Sequence, residues 1–370
     1  MKSPKHFFII FVFTLLAFSP TFFRELPYGM DSFYYLNSIC GKGNLNTEPI
    51  GAILVFSLLP CNIYAIKVLF FICCFASGLF ISKLAGLFGE KGWLAGIFVF
   101  ASPIWLLEFW KIENDAFAYA ILFTAAYFFF KGLKQNSSKN KLLGVFLVLV
   151  AQLFWEGSVL WLIAFSLTWF WLALPILPAL AFKFWEFVAQ IAPNFNAAES
   201  TAGFGLLYQM FLLTALMYLS HLPLMIAPIG FFIIIALINA KFAIHATALL
   251  AIAATKQFEN TKTIFNKWFP AFGAVIVVLF LASMSQDLPP DSQELAAAQL
   301  AISEAKGEEI CNDWGTGHLL AYLGGNPVAR SGGKELCQGC TNCIILSYRE
   351  FDCPIINGAE KEMDIRVYRC

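Results

Sequence analysis

Long apolar runs alternate with short polar interruptions along residues 1–286, and this pattern predicts a series of membrane helices. A crossing helix needs about 17–25 apolar residues, because each residue adds about 1.5 Å along the helix axis. Residues 49–60 are too few to cross and predict an interfacial or re-entrant helix. We expect about eleven spans, near 6–23, 62–83, 92–107, 114–131, 141–155, 157–174, 178–192, 203–220, 223–240, 242–256 and 267–284.

The apolar runs stop at 287–290, where the sequence reads Asp-Leu-Pro-Pro. After them, Asp291 is the predicted N-cap of a helix over DSQELAAAQLAISEAKG. A strand into Cys311, a helix near 316–323 and strands near 343–348 and 363–369 are predicted to follow. The chain is therefore predicted to be mainly α, with a polytopic helical bundle at 1–286 and a small cysteine-rich α/β domain at 287–370.

Lysines near the ends of the runs predict the orientation in the membrane. Lys2 and Lys5 precede the first run, which has no small-residue cleavage site and predicts a retained anchor. Residues 178–192 contain two charges; we interpret them as a span, since a helix lying flat there would invert every later loop. The other lysines expected in inward turns are Lys83, Lys91, Lys131, Lys134, Lys139, Lys141, Lys256, Lys262 and Lys267.

With a cytoplasmic N-terminus, the loops at 24–61, 108–114 and 193–202 and the tail after about 285 fall outside the cell. The composition agrees with a multi-pass cell-membrane protein, since 59% of the residues are hydrophobic and 13% are charged. In soluble domains, about a quarter of the residues are charged. The formal net charge of +0 gives no indication of nucleic-acid binding. Membrane lipids are the expected partners of a multi-span chain.

Three acids, Glu108, Glu113 and Asp115, interrupt the apolar sequence between two predicted spans. Carboxylates at a bilayer edge are unfavourable unless a cation, a partner charge or a substrate compensates them. A solvated turn is the alternative for any one of them. Asp31 and Glu199 lie in other outer loops, which favours a shared site. Oxygen ligands from separate loops suit Mn²⁺ or Mg²⁺ better than zinc, and such an ion can neutralise a lipid-linked phosphate leaving group.

The segment around these acids, KIENDAFAYAILFTAAYFFFKGLK, resembles the second outer loop and following span of the catalytic subunit of oligosaccharyltransferase. That family belongs to the GT-C glycosyltransferases, which use polyprenyl-phosphate-linked sugars. PYGMDSFYYL is similar to the first-loop motif of the class, NAAES to the mobile-loop motif, and residues 154–158 to a Trp-Gly-Gly-Tyr stretch. The resemblance implies that Asp31, Glu113 and Asp115 hold the metal and activate the acceptor amide. Glu199 would close over the site and complete the coordination.

Two further segments resemble substrate-binding motifs of the same family. Residues 240–242 are similar to an Arg-Phe pair that faces the lipid pyrophosphate, with Lys241 in place of arginine. Lysine keeps the positive charge and loses the two-pronged contact. Residues 311–315 resemble a Trp-Trp-Asp-Tyr-Gly motif, which implies that Asp313 and Trp314 hold the hydroxyl residue of the acceptor. A helix cap is the alternative role for Asp313.

His245 lies about one helical turn after the lysine of that pair, and we expect it to face the same substrate pocket. The alternative is a packed polar group inside the bundle.

The resemblance implies a metal-dependent glycosyltransferase that moves a glycan from a polyprenyl-phosphate or pyrophosphate carrier to an acceptor on the outer face. A polypeptide asparagine is the leading acceptor. The missing tryptophans before Asp313 and the small C-terminal domain favour an alternative, an enzyme that uses a polyprenyl-phosphate monosaccharide and acts on lipid, glycan or protein hydroxyl groups. A transporter or a non-enzymatic scaffold is a further alternative, although a transporter more often has ionisable residues in mid-membrane.

Cysteines are concentrated in the hydrophilic tail, which suits an oxidising exterior. Disulfides are favoured there over a zinc or iron–sulfur site, and six cysteines allow fifteen pairings, so the connectivity stays open. Cys40 and Cys61 are candidates for a disulfide that closes the first outer loop. The six cysteines of the tail are Cys311, Cys337, Cys340, Cys343, Cys353 and Cys370.

Overall fold

The computed structural model describes residues 4–29, 31–41, 48–169, 222–238, 242–259, 290–312, 314–327, 343–347, 353–356 and 365–369. Within these ranges the chain is mainly helical, and one small sheet lies near the C-terminus. The first nine α-helices are α1 (Pro4–Phe23), α2 (Asp31–Ile39), α3 (Ile50–Leu58), α4 (Ile63–Phe88), α5 (Trp93–Phe100), α6 (Pro103–Trp110), α7 (Asp115–Lys134), α8 (Ser138–Ala151) and α9 (Val159–Ser166). The later elements are α10 (Ile226–Ile238), α11 (Ala243–Glu259), α12 (Ser292–Ala305), β1 (Glu309–Asn312), α13 (Trp314–Leu323), β2 (Asn326–Pro327), β3 (Ile344–Ser347) and β4 (Arg366–Arg369).

Three of the described helices, α1, α4 and α7, are long and apolar enough to cross a bilayer. A fourth crossing results if α5 and α6 act as one span, although the two are bent by 75°. Pro103 at the start of α6 explains the break, because proline cannot continue the hydrogen bonding of α5.

A bundle of eleven spans is not confirmed. The helices at the predicted spans 141–155, 157–174, 223–240 and 242–256 contain 14, 8, 13 and 17 residues. These stretches are apolar throughout, which is why long spans were predicted. Apolar composition does not show where a helix ends. The predicted spans at 178–192, 203–220 and 267–284 lie outside the described residues.

Large apolar side chains are exposed on several of these helices, which indicates membrane association. Soluble proteins rarely expose apolar patches of this kind, whereas lipid covers them in a membrane. The short helix predicted at 49–60 is confirmed as α3, and it exposes three such residues. The most exposed apolar residues on α1, α3 and α10 are Phe8, Phe23, Ile50, Leu54, Leu58 and Leu237.

Lysines gather at one end of the helices, and the acids of the second outer loop lie at the other end. Lys134 Nζ donates a hydrogen bond to Leu87 O, and Lys256 Nζ donates one to Phe88 O. Cations at the carbonyl ends of helices are favourable because of the helix dipole. Helix α7 connects the two ends, since its 20 residues span about 30 Å from Asp115 to Lys134.

Helices α7 and α8 pack closely because Gly144 has no side chain. An added Cβ at this position would lie 2.7 Å from Phe129 Cβ and 2.8 Å from Ala125 O. Small residues allow this kind of close approach between membrane helices. This contact holds α7 in place. The first residue of α7 is Asp115, one of the three acids between the predicted spans.

The C-terminal elements agree closely with the predicted ones. Asp291 caps α12 through a capping box, in which its Oδ1 accepts from Glu294 N at 2.7 Å and Glu294 Oε2 accepts from Asp291 N at 2.9 Å. The predicted strands and helix are confirmed as β1, α13, β3 and β4. Strand β2 was not predicted because it has only two residues. The sheet order is β2-β1-β3-β4, with β1 parallel to both neighbours and β4 antiparallel to β3.

Helix α2 packs into the core of the C-terminal elements. It belongs to residues 24–61, the predicted first outer loop. Phe33 is fully buried among α12, α13 and the sheet, and its ring lies 5.3 Å from that of Tyr322. Asn37 Nδ2 donates to His318 O at 3.0 Å. The first outer loop and the C-terminal elements therefore form one packed unit.

Most of the described cysteines that were predicted to form disulfides do so, and one of them does not. Cys40 and Cys61 form the predicted disulfide of the first loop. Cys343 and Cys353 are disulfide-bonded, as predicted. Cys311 is instead a thiol. Strand β1 places its side chain in a small apolar cluster with Ile345 and Tyr368. The other predicted disulfide cysteines, Cys337, Cys340 and Cys370, lie outside the described residues.

Replacing Cys40 by serine is expected to lower the free energy of unfolding by about 2–4 kcal/mol, because the disulfide restricts the unfolded chain. Alkylation without reductant, followed by mass spectrometry, should recover the Cys40–Cys61 peptide pair intact. Cys73 and Cys74, buried thiols in α4, serve as the control and should be alkylated after denaturation. Alkylated Cys40 and Cys61 in the unreduced protein would contradict the pairing.

Candidate functional site

A four-residue turn at 111–114 brings three acids together. Helix α6 ends at Trp110, Lys111 has an extended backbone, and α7 begins at Asp115. Glu108 in the last turn of α6, Glu113 in the turn and Asp115 at the start of α7 therefore converge. One carboxylate oxygen from each of them lies within 4.8 Å of the others.

The spacing of these oxygens fits a single cation. Oxygen ligands lie about 2.0–2.6 Å from Mg²⁺ or Ca²⁺, so two ligands of one ion are at most about 5 Å apart. Carboxylates are hard donors and suit Mg²⁺ or Mn²⁺. The site can hold such an ion with Glu108, Glu113 and Asp115 as its protein ligands.

The charge balance of the group also favours a cation. Glu108 and Asp115 are 4% and 3% exposed, so water solvates them poorly. Lys111 Nζ lies 3.8 Å from Glu113 Oε1 and supplies one positive charge. Carboxylates this close together repel one another when ionised, and a divalent ion would offset that repulsion.

Neighbouring polar groups orient the acids. Tyr119 Oη donates to Glu108 Oε2 at 3.2 Å. On the other side, Asn114 Nδ2 donates to Glu48 Oε2 at 3.1 Å and to the carbonyl of Phe154 at 2.9 Å. Such outer contacts fix ligand orientation in metal sites.

Tyr35, on α2, links the first outer loop to this network. Its hydroxyl lies 3.1 Å from Glu48 Oε2 and 3.2 Å from Asn114 Oδ1, and it can donate to either oxygen. Burial raises the pKa of the Tyr35 phenol, and nearby carboxylates, Glu48 first, raise it further. The phenol therefore stays neutral at pH 7 and acts as a donor to the acidic network.

The first outer loop docks on the turn that contains Glu113. Ser32 Oγ accepts from the backbone N of Ile112 at 2.7 Å and donates to Tyr28 O, while Tyr28 and Lys111 form an isolated parallel bridge. Asp31, the first residue of α2, is adjacent to Ser32 in sequence. Within the part of the chain that the structure describes, Asp31 is not one of the three acids that share the 4.8 Å cluster.

Gly29 is required at this docking point. Its φ of +79° lies in the left-handed region, and an added Cβ would come within 3.1 Å of Lys111 Cγ. A side chain at this position would strain the backbone and displace Lys111, the ion-pair partner of Glu113.

His245 is fully buried among aromatic rings near the acids. Its Nδ1 accepts from Trp161 Nε1 at 3.2 Å, and its ring stacks on that of Trp155 with centroids 5.4 Å apart. Because Nδ1 accepts, a neutral ring carries its proton on Nε2, which has no hydrogen-bond partner among the residues that the structure describes. The Tyr119 ring, 5.4 Å from that of His245, separates it from Glu108. These contacts agree with the packed polar group that was the alternative for this residue.

The remaining predicted site residues fall largely outside the described ranges. Glu199, Lys241 and Asp313 lie there, and Trp314 is the first residue of α13. Sequence reasoning placed Glu108 among the crowded acids but did not assign it as a ligand, and it missed Glu48. The available signal for Glu108 was its position next to the other acids, on the helix that leads into their turn.

No protein-family model matches this chain, and no curated protein matches it. The arrangement of Glu108, Glu113 and Asp115 can bind a divalent cation at one end of the candidate membrane helices.

Replacing Gly29 by alanine is expected to destabilise the protein by more than the same change at Gly41. Both glycines have positive φ, +79° and +74°, so both variants have the same backbone strain of about 1 kcal/mol. Among the described residues, an added Cβ meets no atom within 4 Å at Gly41, whereas at Gly29 it meets Lys111. Thermal unfolding of the two variants in detergent measures the difference, and equal losses would contradict the role of Gly29 in docking.

Proposed function

We propose that this protein is a membrane glycosyltransferase that transfers a glycan from a polyprenyl-phosphate or pyrophosphate carrier to an acceptor, with a polypeptide asparagine as the leading acceptor. A divalent cation, Mn²⁺ or Mg²⁺, is the proposed cofactor. The observation that carries the proposal is the convergence of Glu108, Glu113 and Asp115 at one end of the candidate membrane helices. A carrier lipid presents its phosphate at this level of the bilayer, because its chain is confined to the hydrocarbon core.

The chemistry of the donor explains why acids suit this site. Carboxylates alone repel a phosphate leaving group, whereas a bound divalent cation stabilises the charge that develops on it. In this proposal Glu108, Glu113 and Asp115 bind the ion, and Tyr119 holds Glu108 in place. Asp31 approaches with the first outer loop, where it is proposed to join the ligand set and to accept a hydrogen bond from the acceptor amide.

The C-terminal elements are the proposed acceptor side of the site. A chain of contacts runs from α13 to the acids: the ring of His318 lies 5.2 Å from that of Tyr34, and Tyr34 lies 5.1 Å from Tyr35. Tyr35 in turn contacts Asn114, between two of the acids in sequence. Trp314, at the start of α13, is proposed to contact the acceptor, together with Asp313. Glu199 and Lys241 are proposed to complete the donor side.

Two independent features support a cytoplasmic N-terminus and an extracytoplasmic C-terminal domain. Lys134 and Lys256 lie at the end of the helices that also contains the start of α1, which agrees with the excess of lysines in cytoplasmic loops. The Cys40–Cys61 disulfide precedes α4 at the opposite end, and disulfides are stable in oxidising compartments. The acids therefore belong to the proposed outer side.

The runner-up function is a transferase that uses a polyprenyl-phosphate monosaccharide and modifies a lipid, a glycan or a protein hydroxyl group. The observation that favours it lies in β1, where Cys311 and Asn312 are buried in the strand instead of presenting two tryptophans. The two functions share the metal site and differ in the acceptor, so identification of the product separates them.

Replacing Glu108 by glutamine or Asp115 by asparagine is expected to weaken Mn²⁺ binding by more than about 100-fold, because each change removes a charged ligand. Tyr119→Phe should weaken it by about 10–100-fold, as is typical for a group that orients a ligand. Electron paramagnetic resonance of free Mn²⁺ measures the affinity.

The control for these variants is Glu25→Gln, which removes an exposed acid between α1 and α2. It should leave the affinity within about twofold of the unmodified protein, since exposed charges are largely screened. If Glu25→Gln weakens Mn²⁺ binding as much as Glu108→Gln does, the acids form no specific site.

Asp31→Ala, Glu113→Ala and Asp115→Ala are each expected to abolish sugar transfer without preventing membrane insertion. The assay is reconstitution of the full chain with a lipid-linked sugar, Mn²⁺ and acceptor peptides, with mass spectrometry of the products. Glycosylated asparagine in an Asn-x-Thr peptide, and none in a matched Gln-x-Thr peptide, supports the leading function. A modified lipid, glycan or hydroxyl group supports the runner-up, and retained transfer in all three variants would refute the metal-site mechanism.

A further inference from the structure

A cavity of about 550 Å³ lies at the lysine-rich end of the helices, far from the acids. The start of α1, the end of α4, the turn into α5 and the end of α7 form its walls. Its polar lining includes His6, Ser82, Glu90 and Lys134, and the indole of Trp93 contributes an aromatic wall. Helix α7 separates it from the acidic turn by about 30 Å, so it is a second site with its own chemistry.

The shape of the cavity depends on defined contacts. The rings of His6 and Trp93 stack with centroids 5.7 Å apart and planes 14° apart, which joins α1 to α5. Gly92 packs so closely on α4 that an added Cβ would lie 2.2 Å from Gly86 N. Lys134 Nζ binds Leu87 O at the end of α4. These contacts join α1, α4, α5 and α7 around the opening.

The cavity lies at the level where lipid headgroups are found. Each of the three helices that are long enough to cross a bilayer contributes an end to its wall: His6 from α1, Phe88 from α4 and Lys134 from α7. The ends of crossing helices lie at the boundary between hydrocarbon and headgroups. A ligand in this cavity is thus at the depth of a phospholipid phosphate.

The charges of the lining select among lipid headgroups. Lys134 offers an ammonium group and Glu90 a carboxylate, and both side chains are exposed enough to reach a ligand. A purely anionic headgroup is attracted by Lys134 and repelled by Glu90. A zwitterionic headgroup with a phosphate and a primary amine satisfies both, and its ammonium group also gains from a neighbouring indole face. The volume fits a small ligand, since such sites typically have about 300–1,000 Å³.

We infer that this cavity binds the headgroup of an aminophospholipid, with its phosphate at Lys134 and its ammonium group between Glu90 and Trp93. The site is independent of the proposed sugar transfer, because it lies at the opposite end of α7. Bound lipid at this place joins α1, α4, α5 and α7 through its headgroup.

The test is native mass spectrometry of the full chain after delipidation and addition of one lipid at a time. The probes are phosphatidylethanolamine, phosphatidylglycerol and diacylglycerol with identical acyl chains, and phosphoethanolamine and inorganic phosphate as soluble competitors. Phosphatidylethanolamine should be retained most and diacylglycerol least. Neither soluble competitor should displace the lipid at millimolar concentration, because the acyl chains contribute to its binding.

Lipid retention is also compared among three variants. Thermal unfolding first establishes that each variant is folded. Lys134→Gln should lower the retention of both phospholipids by about fivefold, the effect of one lysine near a lipid surface. Glu90→Gln should lower the retention of phosphatidylethanolamine and raise that of phosphatidylglycerol, because it removes a partner of the amine and a charge that repels the anion. Lys139→Gln is the matched control, since Lys139 is exposed on α8 and outside the cavity wall, and it should change nothing.

Several outcomes would overturn the inference. Equal retention of diacylglycerol and phosphatidylethanolamine would show that the acyl chains alone bind. Equal effects of Lys134→Gln and Lys139→Gln would show general attraction to a basic surface. Displacement by inorganic phosphate or phosphoethanolamine would assign the cavity to a soluble ligand, and loss of both phospholipids in Glu90→Gln would refute the role of the amine.

Discussion

Three carboxylates, two of them buried, have oxygen atoms within 4.8 Å of one another at one end of the candidate membrane helices, and they repel one another when ionised. At about 5 Å and an effective dielectric constant of about 20, each ionised pair is unfavourable by about 3–4 kcal/mol. Lys111, the hydroxyl of Tyr119 and the N-terminal dipole of α7 each offset part of this repulsion. A divalent cation bound by Glu108, Glu113 and Asp115 would offset more of this repulsion.

Two sets of contacts hold the three acids in place. The short turn after α6 brings Glu108 back to Asp115. From the other side, Ser32 hydrogen-bonds to the turn and Gly29 lets the first loop approach Lys111 closely. The first loop is itself fixed by the buried ring of Phe33 in the C-terminal core. The acidic group is thus positioned by segments that are distant in sequence.

Features that depend on neighbouring residues were predictable, and features that depend on distant ones were not. The start of α12 follows from Asp291 and Glu294, because a capping box is a signal within four residues. The convergence of Glu108 with Glu113 and Asp115 depends on the geometry of the turn at 111–114, which hydrophobicity does not encode. The burial of Phe33 beside α12 and the burial of Cys311 in β1 have no local signal at all. Several helices inside the apolar runs are also shorter than the predicted spans, because apolar composition does not mark where a helix ends.

The packing of Phe33 has a consequence for how the protein matures. During synthesis the helices up to α8 leave the ribosome long before residues 292–369, so α1, α4, α7 and α8 can assemble first. Helix α2 has no partner for Phe33 until α12, α13 and the sheet exist. The loop that contains Asp31 is therefore seated only when the last segment of the chain has been made and moved to the same side of the bilayer. A truncated chain would keep the acidic turn and lack the contacts that seat the first loop, so the placement of Asp31 depends on complete translation.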